Sequence, residues 1–280
     1  RRQRQMCIRD RLKENTSFLK FVVEHSKQAY GSTIGYLEQE KLFDNVKYAI
    51  VDSGWTGTLQ RSLQNLLDSV EKRGGITGYY FGMYNIPEDL DEKNFNTFLF
   101  NKNSGLLEKI NFNNNLFECL CCAENGMTTG YKESGGNYIP IFSSSENLNI
   151  NVWPINNQIE TVCEYAINAS KNLNGQILDS NKSRKIAFKL CKKSMMNPSK
   201  PEVDVYGKFL FSDDITENNV YPLAIPMTKT DLKKNNLLNI VYNKLFVKGQ
   251  GAPIKKSAWI EGTITKSNVK NAWWYKLNAK

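Results

Sequence analysis

The stretch Tyr48-Ala-Ile-Val-Asp-Ser-Gly-Trp-Thr-Gly-Thr-Leu-Gln-Arg-Ser-Leu-Gln-Asn-Leu-Leu67 decides the fold class of this chain. It continues a largely apolar run, Val46–Val51, which predicts a strand buried on both faces of a parallel sheet. The strand ends on the carboxylate of Asp52, and a Gly/Thr loop follows. A second strand is predicted at Ile76–Met83. Between the strands, apolar residues recur with the period of an amphipathic helix, at Leu59, Leu63, Leu66, Leu67 and Val70. The sequence therefore predicts an α/β unit in which a right-handed crossover joins two adjacent parallel strands.

The junction between the first strand and the helix is the candidate functional site. Open α/β sheets place phosphate or metal chemistry at the carboxyl ends of their strands, beside a glycine loop and a helix N-terminus. We expect the loop Ser53–Thr58 to lie at this edge, with its amides and Asp52 facing a cleft. Trp55 is too large to be needed for the turn, so we expect it to wall the pocket or to pack on the neighbouring strand. In the alternative interpretation, Asp52 only caps the loop.

The charge and hydropathy of the sequence argue against two classes of binding partner, nucleic acid and the interior of a membrane. The formal net charge is +9, of which residues 1–11 supply +4. The remaining surplus is spread over lysine pairs such as Lys192-Lys193 and Lys255-Lys256, so the sequence predicts no nucleic-acid interface, which needs a concentrated basic patch. No apolar run approaches the ~20 residues that cross a bilayer. A weakly basic protein that handles small anionic molecules fits this balance.

Cysteine and histidine usage excludes several chemistries. The six cysteines lack the regular spacing of a disulfide framework, which predicts reduced thiols and a cytoplasmic location. Cys119, Cys121 and Cys122 are poorly spaced for one metal ion and lie in Leu116–Ala123, which predicts a buried helix. His25 is the one histidine of the sequence, and it lies in a helix-like segment. Mechanisms that depend on histidine are therefore not expected.

The first eleven residues differ in composition from everything that follows. They hold five of the eight arginines, whereas the later sequence uses lysine as its main cation. We interpret residues 1–11 as a non-native segment that makes no apolar contacts, attached to the carboxyl-terminal part of a longer protein. A basic arm or a targeting peptide is the alternative, although no apolar or Ser-rich segment follows.

The rest of the chain predicts an extension to the α/β unit. A β-hairpin is expected around the turn Ser134–Gly136, helices at 154–172 and 183–196, a loop at Ser199–Asp214, and a last helix from Thr230 to about Phe246. The acidic pair Asp213-Asp214 is expected to form a solvated turn or a helix cap. The predicted organisation is a core at 12–115, a hairpin and helical extension at 116–215, and a helix with a polar tail at 216–280.

Several segments resemble one bacterial family. Val51-Asp-Ser-Gly-Trp-Thr-Gly-Thr-Leu-Gln60 is similar to the V-D-I-G-W-x-G-[ST]-x-Q segment of large haloacid-dehalogenase-like (HAD-like) proteins that are fused to, or encoded with, glycosyltransferases of surface-polysaccharide synthesis. The resemblance continues in Gly78–Gly82, in Glu118 followed by Gly126–Tyr131, and in Phe209–Asp214 and Trp259–Gly262. It covers roughly residues 12–262, and its first segment is the distinctive one.

The resemblance implies a Rossmann-like phosphohydrolase core whose amino-terminal half is missing. The family's nucleophile lies in a D-x-F-D-T strand, and this sequence contains no such motif. Asp52 matches the later acidic motif that holds magnesium (Mg²⁺), so the resemblance implies a metal ligand and not a nucleophile. It also implies contacts to a phosphorylated or sugar-type molecule from Ser53, Gly54, Trp55, Thr56, Gly57, Thr58, Gln60 and Tyr131. A chain without the nucleophile is expected to be inactive alone, since phosphoryl transfer through aspartate needs a second, separately placed carboxylate.

Two other interpretations stay open. Ala49–Thr58 also resembles the strand and phosphate-binding loop of phosphoribosyltransferases, with Ser53 in place of the second acid and a loop about two residues short. Such a domain would bind phosphoribosyl pyrophosphate through the loop. The third interpretation is a non-catalytic accessory domain of a glycosyltransferase.

Overall fold

A computed structural model describes residues 10–44, 46–71, 74–144, 149, 155–174, 176, 179–212, 220–234 and 257–277. The elements in chain order are α1 (Thr16–Gln39), β1 (Ala49–Asp52), α2 (Thr58–Val70), β2 (Thr77–Gly82), a 3₁₀ turn (Glu92–Asn94), β3 (Phe95–Phe100), α3 (Leu106–Ile110), α4 (Asn114–Leu120), β4 (Thr128–Ser134), β5 (Asn137–Phe142), α5 (Ile155–Leu173), α6 (Ser180–Met196), α7 (Lys200–Tyr206), β6 (Leu210–Ser212), β7 (Val220–Pro222), α8 (Lys229–Lys234), α9 (Ile260–Lys266) and α10 (Ala272–Leu277). Two predictions fall largely or wholly outside these residues. They are the lack of apolar contacts in the segment 1–11 and the turn or cap at the acidic pair 213–214.

A three-stranded parallel sheet in the order β1-β2-β3 carries the candidate site. Asp52 at the end of β1 lies opposite Tyr80 of β2, which lies opposite Thr97 of β3. The chain passes from β1 to β2 through α2, so the predicted strand–helix–strand unit is confirmed. The mixed α/β class is confirmed with it, whereas the finer Rossmann-like assignment stays a prediction.

The prediction that β1 is buried on both faces is wrong. The strand begins only at Ala49, its residues are exposed or half-buried in alternation, and Val51 is 87% exposed. In the described sheet β1 is an edge strand with β2 as its one neighbour. An apolar run signals that a segment favours extended structure, but it does not record which faces other elements cover.

The described residues form two compact units, each discontinuous in sequence. The first comprises the described parts of Arg1–Tyr48, Ser62–Ile76 and Asn125–Ser145, and the second comprises those of Ala49–Arg61, Thr77–Glu124 and Glu146–Lys280. The predicted boundaries at residues 115 and 215 divide the chain into continuous segments, whereas these units are grouped by spatial contacts. The predicted boundaries therefore stay predictions.

The first unit contains α1 and the β4–β5 hairpin. The hairpin confirms the predicted turn: Gly135 and Gly136 both have positive φ, the conformation that a tight two-residue turn requires. The side chain of Gln39 pairs with the backbone of Tyr138, donating to its carbonyl at 3.0 Å and accepting from its amide at 2.7 Å. An amide side chain thus completes part of the hydrogen bonding at the edge of the hairpin.

The second unit contains the sheet and a large buried cluster. The cluster includes Trp259, Phe209, Val203, Leu99 and Phe100, and α6 packs Phe188 and Cys191 against it. The indole N–H of Trp259 donates to the carbonyl of Met195 at 2.7 Å, so this large side chain is buried with its polar group satisfied. The core therefore joins residues from both the sheet and the carboxyl-terminal helices of this unit.

Two helices predicted in the extension are present. Elements α5 and α6 confirm the helices predicted at 154–172 and 183–196. Element α8 lies at the start of the predicted last helix, and the remainder of that prediction falls outside the described residues.

No helix among the described residues combines the length and the hydropathy needed to cross a membrane.

The predicted loop at Ser199–Asp214 is wrong, because this segment contains α7 and β6. The side chain of Ser199 accepts from the amide of Glu202, and the carboxylate of Glu202 accepts from the amide of Ser199. This reciprocal capping box starts α7, and its S-x-x-E pattern was the sequence signal that could have identified the helix.

Candidate functional site

The side chain of Asp52 occupies the carboxyl end of β1. Its Oδ1 accepts a hydrogen bond of 2.8 Å from the amide of Gly54, and the residue is half-buried. Among the described residues, no other hydrogen bond or ion pair engages the carboxylate. The capping interaction that was the alternative interpretation is therefore present, and it occupies one of the two carboxylate oxygens.

The loop after Asp52 depends on two glycines. A Cβ at Gly54 would lie 2.9 Å from Oδ2 of Asp52, so a side chain at this position would displace the carboxylate. Gly57 has φ +65°, and a Cβ there would lie 2.6 Å from the ring of Phe95. The intervening Thr56 is exposed, as are Ser53 and Thr58. The glycines thus set both the path of the chain and the position of the acid.

Trp55 is buried in the core of the second unit. Its ring packs against Phe100, Phe112 and Phe117 with centroid distances between 5.3 and 6.3 Å. Its backbone carbonyl accepts from the amide of Tyr84 at 2.9 Å. The predicted roles were to wall the pocket or to pack on the neighbouring strand; the ring packs on Phe100 of β3, one strand beyond β2, and this packing fixes the loop to the core.

Glu118 of α4 is the functional candidate that sequence reasoning left out of the site. Its carboxylate accepts a short hydrogen bond from the indole N–H of Trp55. Burial raises the pKa of Glu118, the bond from Trp55 lowers it in part, and the nearby charge of Asp52 raises it. The signal was available, since Glu118 belongs to the family resemblance, but its helix was interpreted from its cysteines as structural.

Glu118 also affects Tyr84 beside it. Burial, together with the charge of Glu118, raises the pKa of the Tyr84 hydroxyl. The structure therefore brings two acids within electrostatic reach of each other at the carboxyl end of the sheet, although they are 66 positions apart in sequence.

A cavity of about 650 Å³ lies beside Asp52. Asp52 and Ser53 are among its lining residues, and five aromatic residues form most of the apolar part of the lining. The full set is Val51, Asp52, Ser53, Tyr79, Tyr80, Phe81, Asn96, Thr97, Phe98, Phe117 and Cys121. This combination suits a ligand with one polar or anionic end and one flat or apolar face.

Gln60 has a structural role in the described residues. It is 1% exposed, its Oε1 accepts from the hydroxyl of Tyr80 at 2.7 Å, and its Nε2 donates to the carbonyl of Asn94 at 3.4 Å. A Cβ at Gly78 would collide with Oε1, so the glycine makes room for this bond. These contacts explain the presence of Gln60 without a ligand.

Tyr131 lies in the other compact unit, where its ring stacks on Tyr36 with centroids 4.1 Å apart. Burial and the neighbouring Tyr36 raise the pKa of its hydroxyl. Its predicted contact with a ligand stays a prediction.

Asp52 is the residue that the family resemblance implies as a Mg²⁺ ligand. No group of three or more His, Cys, Asp or Glu residues suited to a metal occurs within the described residues. Mg²⁺ in phosphoryl-transfer sites is, however, commonly held by one or two carboxylates together with substrate phosphate and water. The second oxygen of Asp52 has the chemistry of such a ligand, and Glu118 adds negative charge nearby.

Comparison with known proteins adds no assignment to this geometry, because the chain matches no family model and no curated protein. The structure by itself establishes an α/β fold in which Asp52 and a cavity lie at the carboxyl end of a three-stranded parallel sheet.

Proposed function

We propose that this chain is the second half of a HAD-like phosphohydrolase-type domain that serves bacterial surface-polysaccharide synthesis. In this proposal it works in the cytoplasm beside a fused or neighbouring glycosyltransferase and binds a phosphorylated or sugar-type molecule. Asp52 contributes to Mg²⁺ binding, and the nucleophilic aspartate belongs to sequence that this chain does not contain. The chain alone therefore has no phosphatase turnover.

One observation supports the proposal most directly. Asp52 lines a cavity of about 650 Å³, one of its oxygens is held by the Gly54 amide, and the other has no hydrogen-bond partner among the described residues. A plain strand–helix connection would need the capping bond but would not need the cavity. The position of this acid at the carboxyl end of a parallel strand supports the proposal, because α/β enzymes commonly bind phosphate and metal at that end.

The chain's own residues would divide the work of binding. Asp52 would hold the cation, which would neutralise phosphate charge when bound. The hydroxyl of Ser53 would donate to a phosphate or sugar oxygen, and the rings of Tyr79, Phe81 and Phe98 would contact the flat face of the ligand. Glu118 would act on this site through charge and by fixing Trp55, and so the loop.

The test combines binding with turnover. We expect purified protein to release no phosphate from p-nitrophenyl phosphate with Mg²⁺ present. We expect calorimetry to detect Mg²⁺ binding in the presence of orthophosphate, and Asp52→Asn to weaken it about tenfold or more because one charged ligand is lost. The matched control is Asp89→Asn, an acid of the same unit that pairs with Arg61 at the surface.

Each other outcome identifies a different function. Mg²⁺-dependent hydrolysis that disappears in Asp52→Asn would show that the chain does contain its nucleophile. Binding of phosphoribosyl pyrophosphate that depends on Asp52 and Thr58 would support the phosphoribosyltransferase-like alternative. Equal binding by the wild type and Asp52→Asn would remove the proposed metal role and leave the accessory-domain interpretation.

A further inference from the structure

The positive charge that is spread out along the sequence is gathered by helix formation on the exposed side of α6, where five lysines lie. Lys182, Lys185, Lys189 and Lys193 recur at intervals of three or four residues and so share one side of the helix, with Lys192 next to them. All five are exposed, and we call this surface the lysine face. Helix α6 contains no Asp or Glu, so its own sequence supplies no compensating charge.

The opposite side of α6 fixes the orientation of the helix. Ala187, Phe188 and Cys191 pack against the core of the second unit, and Met195 and Met196 belong to that core. The lysine face must therefore point away from these contacts. The arrangement is that of a helix anchored along one side and open along the other.

The described acids near α6 are held mainly by groups other than the lysine face. Asp179 caps α6 through the amides of Asn181 and Lys182, and Glu108 pairs with the half-buried Arg184 at 3.5 Å. Glu202 is held in the capping box of α7, and Lys193 contributes to its lowered pKa after the bonds from Ser199. None of the five lysines forms an ion pair within the part of the chain that the structure describes.

Two large apolar side chains border the lysine face. Ile186 is 51% exposed and Leu190 is 60% exposed, and they lie one helical turn apart on the same flank. Exposed apolar residues also occur on α5, including Val162 and Ile167, but that helix carries Glu160 and Glu164 as well. The combination of lysines with exposed apolar neighbours and no acid is specific to α6 in this comparison.

We propose that the lysine face, with Ile186 and Leu190, binds the surface of a lipid bilayer that contains anionic lipids. Lysines attract the negative headgroups, and apolar side chains on the flank enter the interfacial region. Nucleic acid is the weaker candidate occupant. The neighbouring Arg184 is already engaged by Glu108 and the Leu99 carbonyl, and Ile186 and Leu190 would have no role in binding nucleic acid.

A small cavity beside the lysine face gives the headgroups a defined place to meet cations. It has a volume of about 180 Å³ and is lined by Leu99, Glu108, Arg184, Lys185, Phe188 and Lys189. Three of its six lining residues are cations, and one of these, Arg184, is held in place by donating to the carbonyl of Leu99 at 3.2 Å. A headgroup phosphate at its mouth would meet Lys185 and Lys189.

Vesicle sedimentation tests the proposal with the full chain. We expect binding to vesicles of phosphatidylcholine with phosphatidylglycerol, little binding to phosphatidylcholine alone, and release by high salt. The variant Lys182→Gln/Lys185→Gln/Lys189→Gln should reduce the partition coefficient on the order of 100-fold, at roughly fivefold for each lysine. The control Lys13→Gln/Lys20→Gln/Lys132→Gln makes the same change in net charge elsewhere and should have a much smaller effect.

A second pair of variants tests the apolar contribution. Ile186→Gln/Leu190→Gln should weaken vesicle binding about tenfold, whereas Val162→Gln/Ile167→Gln on α5 should leave it nearly unchanged. Circular dichroism would verify that each variant is folded. The proposal is overturned if wild-type protein does not bind anionic vesicles, if the two lysine variants lose binding equally, or if the lysine face instead binds duplex DNA or RNA and not vesicles.

Discussion

At the scale of single residues, buried polar side chains do most to fix the sheet and the site. Gln60 and Tyr80 bond to each other between α2 and β2, and Trp55 bonds to Glu118 between the loop and α4. Each bond gives a buried donor, the hydroxyl of Tyr80 or the indole N–H of Trp55, its acceptor. Replacing one partner should therefore lower the free energy of unfolding by more than replacing both, because the remaining polar group is left buried.

Replacing Gln60 by Leu should lower the free energy of unfolding by about 1–3 kcal/mol, since the buried hydroxyl of Tyr80 loses its acceptor. Combining Gln60→Leu with Tyr80→Phe should recover part of this loss, because no hydroxyl is then left unpaired. Urea denaturation of the two single variants and the double variant measures the coupling. Purely additive losses would show that the bond of 2.7 Å contributes nothing specific.

The Glu118 carboxyl should make stability depend on pH. Burial raises its pKa in the folded state, so the folded protein holds a proton over a pH window that starts near the usual value of 4.5 and extends upward. Within this window the folded state binds more protons than the unfolded state, and stability falls as pH rises. We expect Glu118→Gln to remove this decrease, so that its stability relative to the wild type increases as the pH rises above that usual value.

Denaturant unfolding at several pH values would measure that difference for Glu118→Gln. Glu88→Gln serves as the control and is compared with the wild type in the same way, because Glu88 is exposed at the surface of the same unit. A stability difference for Glu118→Gln that does not change with pH would contradict the assigned effect of burial.

At the scale of elements, the short helix α7 depends on its capping residues and on tertiary contacts for its stability. Element α7 has only seven residues, yet it is started by the Ser199 and Glu202 capping box and buries Val203 in the core. A helix of this length is not stable alone in water, so the cap and the buried side chain must hold it. The same reasoning applies to the start of α6, where Asp179 accepts from two amides.

Ser199→Ala should lower the free energy of unfolding by about 1 kcal/mol, the usual effect of removing a side-chain N-cap. Ser194→Ala provides the matched control, because Ser194 is exposed on α6 and should change stability by no more than about 0.5 kcal/mol. Thermal and urea unfolding of both variants would compare them. Similar effects at the two positions would mean that the capping box does not stabilise α7.

At the scale of the whole molecule, the described chain divides into two compact units, and the second contains the sheet, the candidate site and the lysine face. Its core includes Trp259 and Trp55 as its largest rings, each with its indole N–H bonded to an acceptor within the unit. Packing and hydrogen bonding are thus combined in the same side chains. The stability of this unit should depend strongly on them.

Trp259→Phe should lower the free energy of unfolding by about 2–3 kcal/mol, because it leaves a cavity and removes the donor to the Met195 carbonyl. Trp273→Phe is the control, since Trp273 is 64% exposed and its replacement should change stability by about 0.5 kcal/mol or less. Circular dichroism should follow the unfolding, because fluorescence itself changes with the tryptophan content. An equally small effect at Trp259 would contradict its assigned place in the core.

The sequence by itself determined the elements whose signals are local. The parallel β1–α2–β2 unit followed from an apolar run, a glycine loop and a helical period, and the hairpin followed from Ser134 to Gly136. Helix α5 followed from periodicity, the end of α6 followed from Asn197-Pro198, and α7 would have followed from its capping box. These features depend on residues within a few positions of one another, so the printed order of residues contains the information that forms them.

Only the tertiary structure decided which surfaces meet. It placed Glu118 against Trp55 across 63 positions of sequence, gave Gln60 a structural partner in Tyr80, and put Tyr131 in a different compact unit from Asp52. It also left Val51 exposed on an edge strand where the apolar pattern predicted burial. The physical reason is that apolar burial is non-directional, so a pattern shows that a side chain favours contact but does not name the distant residue that provides it.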